Sequence, residues 1–186
     1  MKILHLDASL QDDLSTSRLI SREIVERLRE TYADADIDYV DLVRKPLPHL
    51  SLDLLKAQDS RDVLKGFQDA DLVVIGTAMY NFTLPSQLKA WIDRVLIAGE
   101  TFRYTANGPE GLCGGKRVIV ALSRGGYYRE NTPMAALEHA ETYLRSVFGF
   151  VGVREVDVIN IDGTAIPGNR EPALAQARQQ LRELAH

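Results

Sequence analysis

The run Leu72-Val73-Val74-Ile75-Gly76 constrains the fold more than any other part of the chain. It is apolar without alternation, so it has no side to give to water. A strand of this kind belongs inside a parallel sheet covered on both faces. The rest of the chain supplies the cover. Lys2–Asp7 reads as a first short strand. From about Thr16 to Glu30, Ile20, Ile24, Val25 and Leu28 recur at helical spacing. Ile37–Leu42 reads as a second strand, followed by a polar stretch with Pro46 and Pro48 and a weak helical segment around Ser60–Gln68. After the central run, Pro85–Ala98 is helical, with proline well placed in its first turn. Arg117–Leu122 is a strand, Pro133–Phe148 a helix, Val153–Ile161 a strand and Pro172–Ala185 a closing helix.

Strands alternating with helices imply a parallel sheet with helices on both faces and right-handed crossovers. The 186 residues suit one domain spanning 1–186, and no repeat or linker divides them. Ligands of such sheets bind beyond the carboxyl ends of the strands, where strand order reverses. The loops after the first, third and fourth strands are therefore the ones to read.

The first loop runs from Ser9 at the strand end to Ser15-Thr16-Ser17 at the helix start. A helix N-terminus presents unpaired N–H groups and positive partial charge, and hydroxyls there add donors for phosphate. The loop lacks glycine, so neither the dinucleotide nor the Walker pattern is present, and a terminal mononucleotide phosphate suits it better. Helix capping by Ser15 or Ser17 is an equal reading of this loop alone. Asp12 and Asp13 should face solvent if phosphate binds, with Arg18 offsetting part of their charge.

The second loop carries Met79-Tyr80-Asn81-Phe82, whose amides and rings suit a planar ligand such as a flavin. The alternative is packing of Tyr80 and Phe82 beneath the next helix. The third loop, Ser123-Arg124-Gly125-Gly126, allows close backbone approach to the pyrimidine edge of a flavin, or forms a plain glycine turn.

Other signals point away from catalysis or metal. Gly111-Leu112-Cys113-Gly114-Gly115-Lys116 precedes a strand rather than a helix and reads as a turn, not a phosphate loop. His5, His49, His139 and His186 lack metal-ligand spacing, and Cys113 is solitary. With 22 basic and 26 acidic residues and no basic block, nucleic acid is not an expected partner. No apolar stretch reaches the roughly 20 residues of a membrane span, and the start is too short in apolar residues for a signal peptide. A cytoplasmic location is expected.

Taken in order, the MYNF segment, Thr101-Phe102-Arg103-Tyr104-Thr105 with Asn107-Gly108-Pro109-Glu110-Gly111, and the SRGG segment resemble the FMN-dependent NADH-azoreductase family over nearly the whole chain. The resemblance implies a flavodoxin-like three-layer sandwich, a five-stranded parallel sheet of order 2-1-3-4-5 with helices on both faces. It implies a homodimer with one FMN per protomer and NADH as electron donor. It implies ping-pong transfer of two electrons to quinones and reductive cleavage of azo compounds. By position, Ser9, Ser15, Thr16 and Ser17 match the phosphate loop, Met79, Tyr80, Asn81 and Phe82 the segment along the flavin ring, and Ser123, Arg124, Gly125 and Gly126 the segment at its pyrimidine edge. Phe102, Tyr104 and Tyr127 are candidates for the substrate pocket, with FMN rather than a catalytic side chain carrying the chemistry. The chain departs from the family between about Pro48 and Asp69, where it is short, and this segment bears on substrate range. A general NAD(P)H:quinone reductase without azo activity, an electron-transfer flavodoxin and a non-catalytic flavin-binding module are the alternatives.

Overall fold

In the computed structural model, which describes residues 1–184, the central apolar run extends two residues past its expected end and forms β3, Leu72–Ala78, buried at every position. On either side of it stand β1 (Lys2–Asp7) and β6 (Arg117–Ser123), with β2 (Asp36–Asp41) and β7 (Glu155–Ile161) at the edges. All four pairings are parallel, in the order β2-β1-β3-β6-β7. This is the expected 2-1-3-4-5 order, because two strands between β3 and β6 lie outside the sheet. They form an antiparallel hairpin, β4 (Phe102–Thr105) with β5 (Gly108–Gly111), which the periodicity did not reveal.

Alternate residues of β3 explain the two-sided cover. Val73 and Ile75 enter a core with Phe67, Trp91, Leu144 and Phe148, from α3 (Gln58–Asp69), α4 (Ser86–Val95) and α5 (Ala140–Phe150). Leu72 and Val74 enter another with Ile20, Ile24, Leu174 and Ala177, from α1 (Thr16–Thr31) and α6 (Arg170–Glu183). A one-residue register slip would exchange these two sets.

Three boundaries differ from expectation, two of them for identifiable reasons. The helix expected from Pro133 begins at Ala140, after a 3₁₀ turn at Ala135–Leu137. The Glu138 carboxylate accepts from the amides of Ala140, Glu141 and Thr142 at 2.8–3.1 Å and so sets the start. The α4 helix stops at Val95, whose carbonyl accepts from the Thr101 hydroxyl at 2.7 Å. The last helix starts earlier, at Arg170; Ala185 of its expected end, and His186, lie outside the described residues.

The segment after β2 holds the short α2 (Leu52–Leu55) and then α3. Its path is tied to α4 by Arg94, which is 2% exposed and donates to the carbonyls of Ala90 (2.7 Å) and Pro48 (2.8 Å). Burial pulls the Arg94 guanidinium below its usual pKa. Lys116, at the end of the glycine-rich turn, donates to the carbonyls of Gln68 (2.6 Å) and Ala70 (2.5 Å) and so closes the end of α3. No helix among the described residues is long and apolar enough to cross a membrane.

Candidate functional site

The loops after β1, β3 and β6 meet at the carboxyl edge of the sheet, and hydrogen bonds join them. Met79 N donates to Ser123 O at 2.8 Å, which links the second loop to the third. Leu10 N donates to the Tyr80 hydroxyl at 3.0 Å, which links the first to the second; Ser9 Oγ lies 3.5 Å from the same hydroxyl.

In the first loop Ser15 is the N-cap of α1, its hydroxyl accepting from Arg18 N at 3.2 Å. The capping alternative is thus true of Ser15, but it uses that oxygen only as an acceptor. Ser15 and Ser17 hydroxyls lie 3.1 Å apart. Whichever of them donates, the other keeps a hydrogen with no acceptor among the described residues. The amides of Thr16 and Ser17 also lack acceptors there, as first-turn amides of a helix must. The Arg18 side chain goes elsewhere than expected, to Asp41 at 2.6 and 3.1 Å, and it is Arg44 that meets Asp12, at 2.9 Å. Asp12 is thereby held at the exposed surface.

The second loop is a tight turn closed from both sides: Tyr80 N donates to Thr83 O (2.9 Å) and Thr83 N to Tyr80 O (3.1 Å). Its central residues Asn81 and Phe82 have φ of 47° and 71°. Consecutive left-handed residues that are not glycine cost about 1 kcal/mol each and persist where the surroundings enforce them, commonly at ligand sites. Phe82 is 40% exposed, so it does not pack beneath α4; its ring meets that of Tyr128 edge to face at 6.4 Å. The amides of Asn81 and Phe82 have no acceptor among the described residues.

The third loop is anchored through its carbonyls. Those of Arg124, Gly125 and Gly126 accept from the amides of Thr164, Ala165 and Gly163 at 3.0–3.1 Å. The amides of Gly125 and Gly126 remain without acceptors among the described residues. The 163–165 segment gave no sign in sequence beyond Gly163, whose φ is 73°. Arg124 serves this anchoring rather than the open face. Its guanidinium is buried and contacts Asn160 (2.6 Å), Glu141 (2.8 Å) and Asp162 (3.3 Å), and its own amide donates to Ile161 O. Burial lowers its pKa, but Glu141 and the neighbouring carboxylates more than reverse this.

Of the pocket candidates, Tyr104 is 74% exposed and Tyr127 is also exposed. Phe102 is buried, its ring 4.7 Å from that of Phe150 and 5.6 Å from that of Tyr104. It supports the hairpin and offers no free face. A cavity of about 340 Å³ lined by Lys2, Ile3, Asp36 and Gly66 opens at the opposite end of the strands, the wrong end for a ligand of this kind of sheet.

A doubly wound sheet with a glycine-free phosphate-type loop and two donor-rich loops at its switch point is a mononucleotide-binding architecture. Residues 1–185 match the family described as Flavodoxin-like fold, and the chain belongs to that family. It is 52% identical to a protein of Bradyrhizobium diazoefficiens named FMN-dependent NADH:quinone oxidoreductase 2, over 96% of each chain. It is 48% identical to an FMN-dependent NADH:quinone oxidoreductase of Xanthomonas campestris pv. campestris, over 97% of this chain and 98% of that one. Among solved structures, an FMN-dependent NADH-azoreductase of Bacillus anthracis in complex with FMN superposes with a TM-score of 0.87 at 26% identity, over 98% of this chain and 96% of that one. These are the quinone and azo reductases that the loop motifs resemble.

Proposed function

We propose that the chain is an FMN-dependent NADH:quinone oxidoreductase that also cleaves aromatic azo compounds, a cytoplasmic homodimer whose protomer is one domain over residues 1–186. The observation that carries this reading is the surplus of donors at one edge of the sheet. Amides of Thr16, Ser17, Asn81, Phe82, Gly125 and Gly126 and one serine hydrogen lack acceptors among the described residues. FMN offers acceptors that fit this set: phosphate oxygens at one end, pyrimidine carbonyls and ring nitrogens at the other.

The roles follow from position. Ser9, Ser15, Thr16 and Ser17 hold the phosphate at the start of α1. Met79, Tyr80, Asn81 and Phe82 run along the ring. Ser123, Gly125 and Gly126 lie at the pyrimidine edge, where the N–H groups of Gly125 and Gly126 favour negative charge; Arg124 contributes by keeping that loop in shape. Tyr104 and Tyr127 face donor and acceptor. Bound FMN supplies the two-electron chemistry. No side chain is required as acid or base, and Tyr127 or water meets the proton demand. One open face that receives NADH and quinone in turn gives ping-pong kinetics.

The test is a visible spectrum of the purified protein followed by anaerobic NADH and then a quinone. Flavin that NADH bleaches and quinone restores is the expected result. A protein that takes up no FMN overturns the reading, and flavin that NADH leaves oxidised removes the proposed reaction.

A further inference from the structure

Beneath the first loop lies a buried charged cluster that the roles above leave unused. Arg18 is 6% exposed and Asp41 8%. Arg18 donates from Nη1 and Nη2 to the two oxygens of Asp41 at 2.6 and 3.1 Å. Asp41 Oδ1 also accepts from the amides of Val43 (2.9 Å) and Arg44 (3.0 Å). Burial alone would push the Asp41 carboxyl up, but Arg18 and these two amides hold it at about 2. The charge of Arg18 is thus answered inside the protein, and it is not a counter-ion set aside for phosphate.

What remains is geometry. Arg18 Nε and Nη2 also donate to the carbonyl of Ser9, at 3.1 and 2.9 Å. The backbone amide of the same residue donates to Ser15 Oγ at 3.2 Å. Ser9 and Ser15 stand at the two ends of the loop, so one residue grips both. The grip on Ser9 travels further, because a trans peptide points its carbonyl and the next N–H in opposite directions. With the Ser9 carbonyl drawn inward, Leu10 N–H turns outward, and it meets the Tyr80 hydroxyl at 3.0 Å.

We propose that Arg18, seated on Asp41, is the positioning residue of the flavin phosphate site, setting the separation of Ser9 and Ser15 without touching the phosphate. The inference rests on the FMN reading above and adds a specificity to it: Arg18 underlies the preference for FMN over riboflavin, which has the same ring and no phosphate.

The experiment titrates the flavin-free full chain with FMN and with riboflavin, followed by quenching of flavin fluorescence. Arg18→Met combined with Asp41→Asn removes both members of the ion pair and keeps the apolar stem, so neither is left buried without the other; Asp7, whose Oδ2 lies 4.0 Å from the Arg18 guanidinium, keeps its bonds from Ser21 and Tyr39. FMN affinity is expected to fall roughly tenfold, with riboflavin affinity within about twofold of the parent. FMN affinity that holds, or parallel loss of both flavins as a merely structural role would give, overturns the proposal. If the double variant fails to fold, Arg18→Lys decides by the same criterion. One ammonium keeps the charge but cannot make both pairs of bonds, so FMN affinity should drop at least about threefold with riboflavin unmoved. A parent that binds FMN no more tightly than riboflavin overturns the phosphate-site reading itself, and the proposal with it.

Discussion

Gly76→Ala adds one methyl group at the point where β3 passes under the cluster. Gly76 has no left-handed φ, so alanine suits the backbone there. Through the unfolded chain alone the change would favour folding by about 0.4–1 kcal/mol. The surroundings reverse the sign. A Cβ at Gly76 would lie 2.1 Å from Asp7 Oδ1, 2.6 Å from Ser21 Oγ and 2.9 Å from Ser21 Cβ. Neither neighbour has an easy way out. Asp7 Oδ1 accepts from Ser21 at 2.8 Å, Asp7 Oδ2 accepts from the Tyr39 hydroxyl at 3.1 Å, and Ser21 also lies 3.0 Å from His5 Nε2. The methyl group must break the Ser21–Asp7 bond inside a buried site, which costs about 1–3 kcal/mol. It must also spread β3 and α1, an overpacking of similar size. The net expectation is a loss of about 3 kcal/mol, or a Tm lower by roughly 10 °C. Thermal melts followed by circular dichroism, with urea unfolding at unchanged m, measure it. A variant within about 0.5 kcal/mol of the parent would refute the claim that Asp7 and Ser21 form a fixed network.

Gly111→Ala should be worse in the same melts, because its Cβ would meet only backbone: Gly152 N at 2.1 Å and Val151 C at 2.2 Å. The β4–β5 hairpin would have to lift from the end of α5, and a loss above about 4 kcal/mol is expected. Acid should also weaken the fold through Asp41, whose pKa falls from 3.8 to about 2 on folding. A depressed carboxyl stabilises above its unfolded pKa and loses that contribution as pH falls through the folded one. Between about pH 4 and pH 2 the parent should therefore lose about 2 kcal/mol that Asp41→Asn does not, read from urea midpoints across that range.

The frame was legible because burial on two faces leaves a strong mark: β3 could be read from its composition alone, and the helices from the spacing of Ile20, Ile24 and Leu28. The hairpin was not legible. Phe102–Thr105 has one buried residue in four, so no periodicity distinguishes it from loop. The start of α5 was misjudged for a different reason: Pro133 is a favourable helix start, but Glu138 offers three amides a carboxylate, and the tertiary pairing prevailed. At the site, the loops were located by topology, while the residues that hold them were missed. Asp41 lies within the expected second strand Ile37–Leu42, and Thr164 and Ala165 fall between the last expected strand and the closing helix, with no motif on either. Nothing local marks a residue whose role is to accept a bond from a partner 23 positions away, as Asp41 does from Arg18.

Holding and selecting are physically separate in this molecule. The groups proposed to hold FMN are backbone amides and buried hydroxyls, each fixed by a carbonyl anchor, a cap or a strained turn. Such groups do not depend on side-chain identity at the surface. The groups proposed to face the acceptor are exposed side chains, Tyr104 on the hairpin and Tyr127 beyond the glycine pair. The segment from Pro48 to Asp69, expected to bear on substrate range, holds α2 and α3; Arg94 of α4 grips its Pro48 carbonyl, and Phe67 of α3 packs on Trp91 and Phe148. Change there leaves the donors of the three loops untouched. The groups proposed to hold the cofactor are therefore separate from the exposed side chains proposed to meet the acceptor, and the two can change independently.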